Sequence, residues 1–220
     1  MNHNVPGLQV HIHKVDGTTT TFEQNAADEA SAIIDGFHPA QVFYQEMIAI
    51  TDKDSITSVP VSKITRIELV CDEFSHLVFP VGIVDAVELT EEEFLALIHD
   101  PVMRQQWEQL VTQDASLVTF MEMQMTDGTC FFLATEKPAE VQSQLWTSKG
   151  IALDGSGLCF RMRTGGVAVL NLAHLTRLTF YPKPTQTPAN AWRAQRIHSP
   201  QPTAVNPLPP ITPLHHRATT

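Results

Sequence analysis

The chain has 220 residues, 43% of them hydrophobic, and a formal net charge of −10. That is enough apolar material for a substantial core, yet the apolar runs, such as Ile48–Ile50 and Leu77–Val84, fall far short of the roughly 20 residues a membrane helix needs. Residues 1–117 hold 5 Lys and Arg against 19 Asp and Glu, whereas residues 118–220 hold 9 against 5; such an acidic first half repels phosphates and disfavours a general nucleic-acid-binding body.

In chain order, the alternation Val10-His11-Ile12-His13 predicts a half-buried strand. Asp16-Gly17 then gives a tight turn, and the threonine run closing on Phe22 gives the returning strand of a hairpin. A helix follows, with Asn25 as N-cap, Ala30, Ile33 and Ile34 as its apolar stripe and Gly36 as its stop. Val42–Ile50 reads as one long strand, Asp52–Asp54 as a turn, and Ile56–Val70 as one or two strands interrupted near Pro60. A strand over 81–89 precedes Thr90-Glu91-Glu92-Glu93, a capping box that starts a helix whose Phe94, Leu97 and Ile98 face inward. Asp100-Pro101 ends that helix and opens another, with Val102, Met103, Trp107, Leu110 and Val111 inward. The helical pair is expected to pack across both sheets or to mediate self-association. Strands over 119–125 and 130–134 flank Asp127-Gly128, a helix is expected from about Glu136 to Ser148 with Gly150 as its stop, and strands over 158–162 and 167–170 join across Thr164-Gly165-Gly166. From residue 182 onward nine of 39 residues are proline, which predicts a disordered tail; within it Pro207–Pro213 favours polyproline II.

Residues 8–70 lie on residues 119–181 without a gap when 111 is added to each number. Asp16-Gly17-Thr18 falls on Asp127-Gly128-Thr129, Thr65-Arg66-Ile67 on Thr176-Arg177-Leu178, and apolar positions coincide, as Val10 and Ile12 do with Met121 and Met123. The fold class expected is therefore α+β, an internal duplication of a small unit of order β-β-α-β-β-β. The first copy spans 1–73, a bridging strand and two helices 74–117, the second copy 118–181 and the tail 182–220. The step Val61-Ser62-Lys63-Ile64 resembles, in topology alone, that of small barrels of the Sm or SH3 type, with the helix displaced from the front to after the first hairpin. No family motif accompanies it, and it assigns no family.

Few residue patterns point to chemistry. His11 and His13 share one face of a strand, the spacing two imidazoles need to grip a metal, but the sequence names no further ligand beyond residue type in His3, His76 and His174, and alternation also explains them as solvent-facing. Glu91, Glu92 and Glu93 diverge by about 100° each along a helix and do not converge on a substrate. Nucleophile-elbow, phosphate-loop, dinucleotide and zinc-protease motifs are missing, so no catalytic residue and no cofactor is assigned. Cys71, Cys130 and Cys159 lack disulfide or zinc spacing and are expected as small buried side chains. Arg66 and Arg177 occupy equivalent strand positions and are the candidate partner contacts, either as a symmetric pair or each paired with a local acid such as Glu68.

The leading expectation is a non-catalytic protein-binding or assembly protein that engages a protein partner or itself, with no membrane segment and, from an opening without basic start or apolar stretch, a cytoplasmic setting. A second class is a tandem small-barrel module binding a small ligand or nucleic acid, for which Phe43, Tyr44, Phe131 and Phe132 are the aromatic candidates. A third is an enzyme with a site at the seam between the copies.

Overall fold

The computed structural model describes residues 7–39, 41–71, 85–110, 117–137 and 157–182. All of them belong to one compact unit, Met1–Pro188. The strands are β1 (Leu8–Lys14), β2 (Thr19–Gln24), β3 (Met47–Thr51), β4 (Ile56–Pro60), β5 (Ile64–Val70), β6 (Asp85–Leu89), β7 (Leu117–Met125), β8 (Cys130–Lys137), β9 (Gly157–Arg161), β10 (Val167–Asn171) and β11 (Leu175–Tyr181). Three short helices, α1 (Ala27–Gly36), α2 (Glu91–His99) and α3 (Pro101–Leu110), accompany them. The fold is thus mostly β rather than an even α+β mixture. Its strands do not form two separate five-stranded units: nine of them make one mixed sheet in the order β11-β7-β8-β6-β9-β10-β5-β1-β2, and β3-β4 is a separate hairpin. All the pairings are antiparallel except β6 with β9.

Local structure repeats at the spacing of 111 residues. β1 pairs with β2 in the register Leu8↔Gln24, and β7 with β8 in the corresponding register, Thr119↔Thr135. The irregularity where β1 meets β5, at Lys14↔Ile64, recurs where β7 meets β11, at Met125↔Leu175. Gly17 and Gly128 both take positive φ, 79° and 87°, at the tips of the two hairpins, a conformation a side chain disfavours. Asp16 accepts from the Thr18 amide and Asp127 from the Thr129 amide, each at 2.9 Å. Single turns of 3-10 helix, Val61–Lys63 and Leu172–His174, precede β5 and β11.

Two cores lie on opposite faces of the β9-β10 hairpin. Cys159, Val167 and Val169 join Leu8, Ile12, Ile67, Leu69 and the covering side chains Val42, Phe43 and Val59. Leu158, Phe160, Ala168 and Leu170 join Ala86, Met121, Met123, Met125 and Leu133. Every residue of β10 is therefore buried, which is why Val-Ala-Val-Leu-Asn carries no alternating polar face. The outer face of β7 and β8 is covered by α2 and α3 through Phe94, Ile98, Phe120 and Trp107.

Several expectations are corrected. Val42–Ile50 is a 3-10 turn, Val42–Tyr44, followed by β3, because Val42 and Phe43 plug the first core and the polar pair Gln45-Glu46 leads out of it. α1 is capped at Ala26 without a side-chain bond rather than at Asn25, and Ile33 is exposed. The capping box of α2 forms as its sequence dictates, with Thr90 accepting from the Glu93 amide at 3.1 Å and the Glu93 carboxylate accepting from the Thr90 amide at 2.9 Å. In α3 Pro101 is the first residue, but Val102 points to solvent. Among the described residues the helical pair packs on the β7-β8 side alone, not across both sheets. Glu136 and Lys137 extend β8 instead of starting a helix, and Gly157 opens β9. Cys130 is exposed, unlike buried Cys159, whose thiol burial pushes up to about 12. The expected helix over 138–148, the strand start at 81–84, His3, His76, Val111 and the tail from 183 lie outside the described residues. No helix among the described residues is long and apolar enough to cross a membrane.

Candidate functional site

The two sequence-flagged arginines sit in unlike surroundings. Arg66, on β5, lies where the two halves meet. Its guanidinium carbon stands 4.8 Å from the centroid of Phe131, a ring of the second core, and its Nη2 lies 3.1 Å from His13 Nδ1. Arg66 Nε is 2.9 Å from Glu68 Oε1, in ion-pair range without hydrogen-bond alignment. Glu68 Oε2 lies 3.2 Å from His13 Nε2 and Thr19 Oγ1 lies 3.0 Å from Nδ1. His13 thus bridges Thr19, Arg66 and Glu68, with the donor and acceptor roles of its two ring nitrogens set by the tautomer. Burial lowers the Arg66 pKa against the opposing pull of Glu68, Asp127 and Glu88. Burial pushes Glu68 up, but the His13 bond and the Arg66 charge outweigh it and hold Glu68 below the usual range. The cluster is a neutralised clamp, with each charge answered by a neighbour. Arg177, at the equivalent place on β11, is half-exposed and bonds Glu122 instead.

More bonds cross the joint. The Thr65 hydroxyl is shared between His13 O at 3.2 Å and Asp127 Oδ2 at 3.0 Å, so the tip of the β7-β8 hairpin is held against β5. Asn171 donates from Nδ2 to Ile64 O at 2.9 Å and Val61 O at 3.3 Å while its Oδ1 accepts from the Ala173 amide at 3.1 Å. Gly166 takes φ +87° at a point where a Cβ would stand 2.3 Å from Leu69 O, so only glycine lets the β9-β10 hairpin approach β5. The equivalence of 111 places Pro60 where Asn171 stands, and proline has no side-chain amide with which to form such a pin.

Two strand edges mirror this joint without a described partner. β10 pairs with β5 through Val167↔Leu69, Ala168↔Glu68, Val169↔Ile67 and Leu170↔Arg66. The counterparts of those strands are β4 and β11; among the described residues β4 pairs only with β3, and β11 is the end strand of the sheet. Burial follows the same asymmetry. Val167 is 2% exposed and its counterpart Ile56 71%, while Ile67 and Leu69 are buried and their counterparts Leu178 and Phe180 only half-buried.

A third feature is an open cleft of about 690 Å³ between β2 and the β3-β4 hairpin, lined mainly by polar groups including Glu23, Gln24, Glu29, Asp52 and Lys53. It lies inside the first half. His11 bonds Thr21 at 3.0 Å, and among the described residues no three His, Cys, Asp or Glu side chains stand close enough together to hold a metal ion. The four aromatic candidates do not share a face: Phe43 belongs to the first core, Phe131 to the second, Phe132 to the helix-covered side, and Tyr44 is exposed. The roles of Asn171 and Ile56 were not read from sequence; the signal that could have found them is the mismatch at equivalent positions, Ile-Thr-Ser-Val-Pro with two hydroxyl residues against Val-Ala-Val-Leu-Asn with none. No protein-family model, curated protein or solved structure matches the chain.

Proposed function

We propose that the chain is a non-catalytic assembly protein, two copies of one β-rich unit, that associates with further copies of itself head to tail through β4 of one molecule and β11 of the next. The observation that carries this reading is the pairing of β10 with β5 inside one chain, because its two surfaces recur, by the spacing of 111, on β4 and β11. Transposed, the same register sets Ile56 opposite Phe180, Thr57 opposite Thr179, Ser58 opposite Leu178 and Val59 opposite Arg177. The exposure of Ile56 supports it, since a large apolar side chain on an open strand edge favours association. β11 carries neither proline nor lysine, the residues that commonly guard such edges. Contact between unlike edges is heterologous, so it continues from molecule to molecule until the rotation closes a ring or extends a filament.

Sedimentation velocity over a concentration series tests this. The wild-type chain is expected to form species larger than a dimer. Ile56→Asp and Leu178→Lys, each confirmed as folded by circular dichroism, should be monomeric, and their mixture should yield a discrete dimer because each retains one sound edge. A wild-type chain that stays monomeric throughout, or Ile56→Asp assembling like the wild type, overturns the proposal.

A further inference from the structure

We infer that the cleft beside β2 binds an extended, positively charged segment of a partner polypeptide, which adds to the sheet as a strand antiparallel to β2. The second half supplies the template. There β6 lies between β8 and β9, pairing Ala86↔Thr135, Val87↔Ala134, Glu88↔Leu133 and Leu89↔Phe132 with β8, and Val87↔Arg161 with β9. Subtracting 111 from those partners gives Gln24, Glu23, Phe22 and Thr21 on β2 and Ile50 on β3. All five line the cleft. The first half therefore has, between β2 and β3, the groove that the second half closes with a strand of its own. Among the described residues nothing pairs with the outer edge of β2.

The groove also states what it would accept. The outer-edge amides and carbonyls of β2, unpaired among the described residues, supply main-chain bonds to an extended peptide, and alternate side chains then read its sequence. Ala86 is wholly buried at the position that corresponds to a residue facing Gln24, so a small side chain fits inward there. The next residue of the added strand would stand opposite Glu23. Directly opposed charges of unlike sign stabilise a strand pair and like charges destabilise it, and the lining holds Glu23, Glu29 and Asp52 against the single cation Lys53. Lys or Arg is accordingly favoured at the outward positions. A volume of about 690 Å³ lies within the range of roughly 300–1,000 Å³ usual for ligand clefts. The inference uses the equivalence of the halves but not their self-association, and the two are separable by working in the Ile56→Asp background.

The experiment uses two synthetic heptapeptides, Thr-Lys-Ala-Lys-Val-Lys-Thr and its charge-reversed form Thr-Glu-Ala-Glu-Val-Glu-Thr. Binding is read by calorimetry, and amide hydrogen exchange is followed in full-length protein. The basic peptide should bind, protect the amides of residues 21–24, and lose affinity as salt rises. Glu23→Lys should weaken it by about tenfold or more, with an unchanged circular dichroism spectrum showing that the exposed substitution leaves the fold intact. Equal binding of the acidic peptide, no protection on β2, or full affinity in Glu23→Lys overturns the inference. So does protection of β2 that appears without peptide on concentrating the protein, which would make a second copy the occupant.

Discussion

Asn171 shows how much of the joint rests on single side chains. Its amide satisfies the carbonyls of Val61 and Ile64 in the other half, so Asn171→Ala leaves buried acceptors without a donor and should destabilise by about 1–3 kcal/mol in urea denaturation. His174 makes a second prediction. Its Nε2 is buried without a hydrogen-bond partner, and burial holds the imidazole below its ordinary value of 6.5 although the Ser62 backbone and Asp127 pull the other way. Below that value the unfolded chain binds a proton that the folded chain does not, so stability falls as pH drops from 6.5 toward the folded pKa. His174→Gln should flatten the melting temperature across that window. Glu68 and Asp127, both depressed, stabilise above their ordinary values and lose that contribution only at lower pH, so the two windows stay apart. At this scale the sequence was partly legible: the Arg66–Glu68 pair followed from adjacency on one strand, whereas Asn171 bridges residues more than a hundred positions away, and no local pattern encodes such a reach.

Among elements, β4 and β10 form a matched pair with opposite surroundings. Val167→Ala removes a buried contact and should cost about 1–3 kcal/mol; Ile56→Ala, at an exposed position, should change folding stability by less than about 0.5 kcal/mol while still weakening assembly. Trp107 on α3 is half-buried, stacked edge-on against Phe120 with ring centroids 5.9 Å apart and donating to Val118 O at 3.3 Å. Trp107→Ala should cost about 2 kcal/mol in chemical denaturation, less than the roughly 3–5 kcal/mol of a fully enclosed aromatic ring. The glycine turns and the α2 cap were the legible part of the fold, because Asp-Gly, Gly-Gly and the Thr90 capping box act within a few residues, whereas the cap expected at Asn25 falls instead at Ala26. The 3-10 turn at Val42–Tyr44 was not, since an apolar run does not say whether it fills a strand or plugs a core from outside.

For the molecule as a whole, the sharing of β9 and β10 between two cores ties the halves into one cooperative body. Differential scanning calorimetry should therefore give a single transition for this unit with equal calorimetric and van't Hoff enthalpies; two resolved peaks would show that the halves melt separately. The matching turns and registers at a spacing of 111 were foreshadowed in the sequence, but the pairing of β10 with β5 across that spacing was not, because edge pairing depends on faces that only come together in three dimensions. That crossing has a consequence during synthesis. β5 leaves the ribosome nearly a hundred residues before β10, its neighbour in the finished sheet, so at about 5–20 residues per second a nascent first half waits roughly 5–20 s with that edge bare.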